Sequence, residues 1–272
     1  DCGGGCVPVP QIDGKGWDEF LEDFRAEWKP GQHIAIIAPT GQGKSTVLVT
    51  LLELRNYVLA FDPKGGDETL GKCGFPRLPR WPPPGKAYDR MARKEPVKFL
   101  VGPKINKLAE RGALAAVQAA ALEGAFDDRG WTVAIDELQI AADKMGQADA
   151  IDNLLISART RGVSVVSLFQ RPADVPRAAY QMASWIFLGL TLDTDVINRL
   201  AEIVGRPKYE IRGVSNGLSK QDYSWAVVPN NPRKPIQVIL PREPERTKMP
   251  PAVQQPKPTP WWESIGIYLE AS

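Results

Sequence analysis

The stretch HIAIIAPTGQGKST constrains this chain more than any other. An apolar run, His33 to Ala38, leads into a loop of small residues, Pro39 to Gly43, and then into Lys44-Ser45-Thr46 and a helical run ending near Arg55. The order is strand, phosphate loop, helix. Such a strand carries the loop to a sheet edge, where successive backbone N–H groups make a concave anion site and the helix N-terminus adds its partial positive charge. Gly41 and Gly43 let the backbone curl around a pyrophosphate, Lys44 reaches the outer phosphates, and Ser45 offers a hydroxyl to Mg²⁺. The expected nucleotide contacts are therefore Pro39, Thr40, Gly41, Gln42, Gly43, Lys44, Ser45 and Thr46. Ala38 stands where the pattern usually has its first glycine, and a small residue serves that turn.

A chain of 272 residues, 43% of them apolar, can bury one substantial core around that loop. No uninterrupted apolar run approaches the ~18 residues of a membrane helix. Asp1 to Pro10 lacks the basic head and long apolar centre of a signal peptide, so a soluble, cytoplasmic protein is expected. Three cysteines, Cys2, Cys6 and Cys73, make no disulfide framework. Cys2 and Cys6 flank three glycines, which fits a tag, a linker or half of a metal site. The sole histidine, His33, sits inside the first strand, and a zinc site lacks ligands.

Upstream of the loop, Trp17, Phe20, Leu21, Phe24 and Trp28 recur at helical spacing and predict an amphipathic helix on the core. Downstream, Tyr57 to Phe61 is a second buried strand, followed at once by Asp62-Pro63-Lys64-Gly65-Gly66. Those polar residues stand either on a ligand-binding rim or in an ordinary proline-glycine turn. From Lys72 to Lys104 the composition shifts to nine positive charges against Asp89 and Glu95. With Pro82-Pro83-Pro84 inside it, this reads as an extended basic insertion carrying one short strand, Val97 to Val101. It is either a solvated loop or a contact for a phosphate backbone, and the proximity of Trp81 and Tyr88 favours nucleic acid.

Lys107 to Phe126 is an alanine-rich helix. The third strand, Trp131 to Ile135, ends in Asp136-Glu137. Beside a phosphate loop, Asp136 would hold Mg²⁺ and Glu137 would take a proton from the water attacking the γ-phosphate. A helix from about Ala148 to Thr160 leads to a fourth strand, Val163 to Leu168, ending in Phe169-Gln170-Arg171-Pro172. If this strand inserts between the first and third, as in the catalytic-glutamate branch of phosphate-loop ATPases, Gln170 falls between Lys44 and Glu137. Its amide can then sense the γ-phosphate or orient water. Trp185 to Leu190 is a fifth strand and Asp193 to Val204 a helix. Trp225 to Val228 and Ile236 to Leu240 form a hairpin around Asn230-Asn231-Pro232. From Pro241 to Pro260 the chain is a proline-rich tail, and WWESIGIYLEA forms a short helix that packs on its own core or docks on a neighbour.

Taken together, APTGQGKST, AFDPKGG, VAIDELQ and SARTRGVSVVSLFQRPADVP resemble, in order and spacing, the FtsK/HerA superfamily of DNA-pumping ATPases. That superfamily includes conjugation coupling proteins and viral genome-packaging relatives. The resemblance runs from about Gly31 to Gly205 and is most specific at the fourth block. It implies an α/β P-loop NTPase fold of the RecA-like, ASCE type, with a mainly parallel sheet flanked by helices. It also implies ATP and Mg²⁺ as cofactors, and catalysis by Lys44, Glu137 and Gln170, with Ser45 and Asp136 at the metal. The arginine that enters a neighbouring subunit's site in those enzymes corresponds to Arg159, with Arg161 as fallback, although Arg159 is equally compatible with a charge at a helix C-terminus. The implied partners are double-stranded DNA, further copies of the chain in a ring, and a portal or membrane pore, in the host cytoplasm if the protein is viral.

The expected organisation is residues 1–30 as linker and amphipathic helix, 31–240 as the ATPase domain with its insertion at 72–104, and 241–272 as the tail. Asp143 to Asp149 and the basic insertion are the candidate pore-lining loops. The expected activity is ATP-driven movement of double-stranded DNA. The alternative is an assembly or export ATPase acting on protein, as in filamentous phage morphogenesis.

Overall fold

The computed structural model describes residues 14–105, 107–218 and 223–240. Cys2, Cys6, the tail from Pro241 and the terminal WWESIGIYLEA lie outside the described residues. The first described elements are a short strand, β1 (Gly14–Gly16), and the aromatic helix α1 (Trp17–Glu27). The strand before the phosphate loop is β2 (His33–Ile37), and the loop opens into α2 (Lys44–Glu53). Then come β3 (Tyr57–Phe61), α3 (Glu68–Lys72), β4 (Arg77–Leu78), α4 (Gly85–Ala92) and β5 (Val97–Val101). The long helix α5 (Arg111–Asp128) leads to β6 (Thr132–Ile135), α6 (Ala148–Ser157) and β7 (Ser164–Phe169). The chain continues through α7 (Ala178–Gln181), β8 (Ala183–Leu188), α8 (Thr194–Val204), α9 (Lys208–Gly217), β9 (Trp225–Pro229) and β10 (Gln237–Leu240).

The ten strands of the described residues form one sheet in the order β1-β10-β9-β8-β2-β7-β6-β3-β5-β4. From β8 to β4 every pairing is parallel, and β9 runs antiparallel to both β8 and β10. Helices cover both faces, so β2 and β7 are buried along their whole length, with no alternation of buried and exposed positions. β7 lies between β2 and β6, the position on which the role of Gln170 depends. The carboxyl ends of β2, β7, β6 and β3 therefore open side by side on one edge.

Helix α1 belongs to the core of this sheet. Trp17, Phe20, Phe24 and Trp28 are buried. The ring of Phe24 meets Trp185 and Phe187 of β8 edge-on, at centroid separations of 5.3 and 5.5 Å. Full burial of side chains this size contributes about 1.5–3 kcal/mol each, which ties the helix to the strand beside the phosphate loop.

The insertion at 72–104 is more structured than its composition suggests. Pro84 sits at the N-cap of α4, where a proline costs nothing because the first helical amides need no intrahelical acceptor. Trp81 packs against Trp131 at 6.5 Å, and a Cβ at Gly124 of α5 would lie only 2.1 Å from its indole nitrogen. Tyr88 donates its hydroxyl to Asp128 at 2.9 Å. Arg90 and Arg93 pair with Glu95, Lys72 with Glu68, and Lys98 donates to the Leu52 carbonyl at the end of α2. The two aromatic residues that favoured nucleic acid are thus committed to packing on α5 and the core. The insertion closes the β3–β5–β4 side of the sheet.

Candidate active site

Only glycine readily reaches the backbone conformation that closes the phosphate loop. Gly41 and Gly43 have φ of 79° and 77°, and Gly43 caps α2 in the left-handed region, aiming the first amides of the helix into the loop. Lys44 is buried, and its ammonium donates to the carbonyls of Ala38 at 2.8 Å and Pro39 at 3.0 Å. Burial pushes its pKa down, while the carboxylates of Asp136 and Glu137 oppose that shift. The side chain of Gln42 turns away from the loop cavity and donates to the Leu190 carbonyl at 2.8 Å, pinning the loop to the end of β8. Its backbone amide is what it has to offer a phosphate. Ser45 and Thr46 begin α2 behind Lys44.

Asp136 and Glu137 follow β6 directly. Asp136 is 5% exposed and makes no ion pair among the described residues. Burial and the nearby carboxylates of Asp67, Glu137 and Asp62 raise its pKa to about 7. Glu137 adopts a left-handed conformation, φ 48°, uncommon for a residue with a side chain, and its amide donates to Asp136 Oδ1 at 3.1 Å. Its carboxylate is ion-paired with Lys64 from the turn after β3. Gln170 follows Phe169, which pairs with Ile37 of β2, while Ser167 pairs with Ile135 of β6. The register delivers Gln170, exposed, to the rim between the phosphate loop and the acidic pair.

Asp136, a buried carboxylate with a raised pKa at the end of β6, and the Ser45 hydroxyl at the start of α2 are oxygen donors of the kind suited to Mg²⁺. That ion is usually held by one or two carboxylates plus water and substrate phosphates. Among the described residues there is no cluster of three or more His, Cys, Asp or Glu placed to hold a metal.

The two arginines before β7 differ. Both lie in a 3₁₀ turn, Ala158–Arg161, at the amino end of β7, a strand length of roughly 17 Å from the phosphate-loop edge. Neither reaches the chain's own phosphate loop. Arg161 is held on α5, donating to the Phe126 carbonyl at 3.2 Å with its guanidinium 4.0 Å over the Phe126 ring. Arg159 is exposed. Its turn is clamped from below by residues whose part the sequence did not reveal. A Cβ on Gly31 would lie 2.4 Å from the Arg159 carbonyl oxygen, and Gly31 has φ 81°. The His33 ring accepts from the Val165 amide through Nδ1 at 3.0 Å, so Nε2 carries the proton, facing the Leu155 carbonyl at 3.1 Å. The sequence offered Asp62 to Gly66 as either a ligand-binding rim or a turn, but gave no sign that Lys64 would meet Glu137.

Among the described residues no helix is long and apolar enough to cross a membrane. No protein-family model matches the chain, and no curated protein matches its sequence. Solved structures do match its fold. B204, the DNA-packaging ATPase of Sulfolobus turreted icosahedral virus, superposes with a TM-score of 0.54 at 17% identity, over 79% of this chain and 100% of B204. The genome-packaging NTPase B204 of Sulfolobus turreted icosahedral virus 2, in complex with AMPPCP, gives 0.53 at 16% identity over 79% and 100%. The cytoplasmic domain of the type VII secretion ATPase EccC of Thermomonospora curvata gives 0.54 at 16% identity, over 79% of this chain and 26% of that one. The chain thus carries the P-loop NTPase fold, which it shares with these three structures.

Proposed function

We propose that this chain is an ATPase that drives double-stranded DNA, working as a ring of copies in viral genome packaging or in a mobile element, with a portal or membrane pore as the DNA's path. The observation that carries the reading is the insertion of β7 between β2 and β6. It gathers the phosphate loop, Gln170 and the Asp136-Glu137 pair on one edge. The packaging ATPases that share the fold point the same way.

In this reading a water, oriented by the Gln170 amide, attacks the γ-phosphorus in line. Its proton passes to the Glu137 carboxylate as the new O–P bond forms, the bond to the bridging oxygen breaks, and ADP leaves. Lys44 exchanges its two loop carbonyls for phosphate oxygens, which its buried position makes a strong contact. Ser45 and Asp136 would hold Mg²⁺, which supplies the charge that offsets the developing negative charge on the phosphates. Arg159, exposed and a strand length from its own loop, serves the site of the next copy, where a guanidinium supplied across the interface makes turnover depend on assembly.

The test is the steady-state ATPase rate of the purified chain with and without long double-stranded DNA, at two salt concentrations, beside Glu137→Gln. DNA stimulation that fades at high salt and is absent in the variant supports the motor. A rate indifferent to DNA, in protein that forms rings, sinks the DNA reading. One observation favours the second reading, an assembly ATPase acting on protein: Trp81, Tyr88 and five cations of the basic insertion, Lys72, Arg77, Arg90, Arg93 and Lys98, are already engaged within the chain.

A further inference from the structure

The turn after β3 is built with more care than a surface connection requires. Asp62, 2% exposed, accepts three backbone amides, those of Lys64 at 3.1 Å, Gly65 at 2.9 Å and Asp67 at 2.8 Å. Its own carbonyl takes the Gly65 amide at 3.0 Å and the buried Gln118 side chain at 3.2 Å. Because Phe61 pairs with Ile135, this turn emerges beside Asp136-Glu137, and the half-exposed ammonium of Lys64 meets the Glu137 carboxylate. On the other side Glu137 is held in a left-handed conformation that is strained for a residue with a side chain. An ion pair this exposed contributes little stability, so two backbone devices converging on it are not accounted for by folding. Lys44, meanwhile, is directed at the carbonyls of its own loop, so the cation in contact with Glu137 is Lys64.

We propose that Lys64 is a positioning residue that restrains Glu137 until a triphosphate arrives. This rests on the ATPase reading above. Paired with the Lys64 ammonium, the Glu137 carboxylate is not free to face an attacking water. The γ-phosphate carries more negative charge than a carboxylate and enters the same rim, so it draws the ammonium away and releases Glu137 toward the attacking water. ADP has no γ-phosphate, so after product formation the pair re-forms and the site rests. Lys64 thereby makes the base available only when substrate is in place.

The experiment uses the full chain and two readouts. Lysine acetylation by an N-hydroxysuccinimide ester, followed by mass spectrometry without nucleotide, should show Lys64 reacting several-fold faster in Glu137→Gln than in wild type. In steady-state kinetics without DNA, Lys64→Met should raise kcat several-fold with KM for ATP changed less than twofold, and Lys64→Arg should return kcat toward wild type. Equal labelling in wild type and Glu137→Gln would overturn the pair. A lowered kcat in Lys64→Met would instead make Lys64 a direct phosphate ligand, and an unchanged kcat would make it a bystander; either overturns the proposal. A wild-type chain that hydrolyses no ATP under any condition refutes the ATPase reading itself, and is recognised separately because the labelling result does not depend on turnover.

Discussion

His33 offers a quantitative test of the packing beneath the Arg159 turn. Its ring is 2% exposed and held as the neutral tautomer between the Val165 amide and the Leu155 carbonyl. Burial, chiefly, with Arg159 nearby adding to it, lowers its pKa from 6.5 to about 4, against the opposing bond to Leu155. In the unfolded chain the ring takes up a proton below about pH 6.5, whereas in the folded chain it does so only near pH 4. The unfolded state therefore binds more protons between these values, and stability falls as pH falls. The contribution is fully present above pH 6.5 and lost progressively toward pH 4. A shift of this size corresponds to about 3 kcal/mol, at 1.36 kcal/mol per pH unit at the steepest. The assay is urea unfolding of wild type and His33→Gln from pH 4 to 8. Taking the difference between the two cancels the titration of every group they share. Wild type should lose about 3 kcal/mol relative to the variant between pH 6.5 and 4. A difference that stays flat across this window would show that the ring is not held neutral in the core, and would refute the clamp.

Two further outcomes follow from the site. Asp136, its pKa raised from 3.8 to about 7, is a charged, buried group above pH 7 and weakens the fold there, by up to about 4 kcal/mol. Asp136→Asn should therefore raise the metal-free stability at pH 8, measured by urea unfolding, with the gain shrinking as pH falls from 7 toward 4, while it abolishes ATPase activity. The two arginines before β7 should separate cleanly. Arg161→Ala, losing its bond to Phe126 and the ring stacking, should cost about 1 kcal/mol of stability. Arg159→Ala should leave stability within about 0.5 kcal/mol and lower turnover by about 10³-fold, read from unfolding curves and ATPase rates on the same preparations.

The phosphate loop, the acidic pair and the parallel strands were legible in the chain alone because each is a local pattern. An apolar run, a glycine at a left-handed position and a lysine at a helix start are dictated by neighbours a few residues away. The hairpin of β9 and β10 was legible for the same reason. The insertion is less extended than its composition suggests, because α3 and α4 form within it and charge composition does not say which partners in the chain a residue will find. Arg90 and Arg93 find Glu95 nearby, but Trp81 finds Trp131, and Tyr88 finds Asp128, only once α5 folds across them.

Sequence by itself determined what chemistry this chain can hold at a strand end, since residue types and their spacing decide which groups are available. Tertiary structure decided which of those groups meet. The order of strands brought the end of β7, which Gln170 follows, between the ends of β2 and β6, put Lys64 against Glu137 across more than seventy residues, and set Arg159 at the far end of the sheet from its own phosphate loop. Such pairings follow from strand order and register, which the global packing of the core selects and no local pattern encodes.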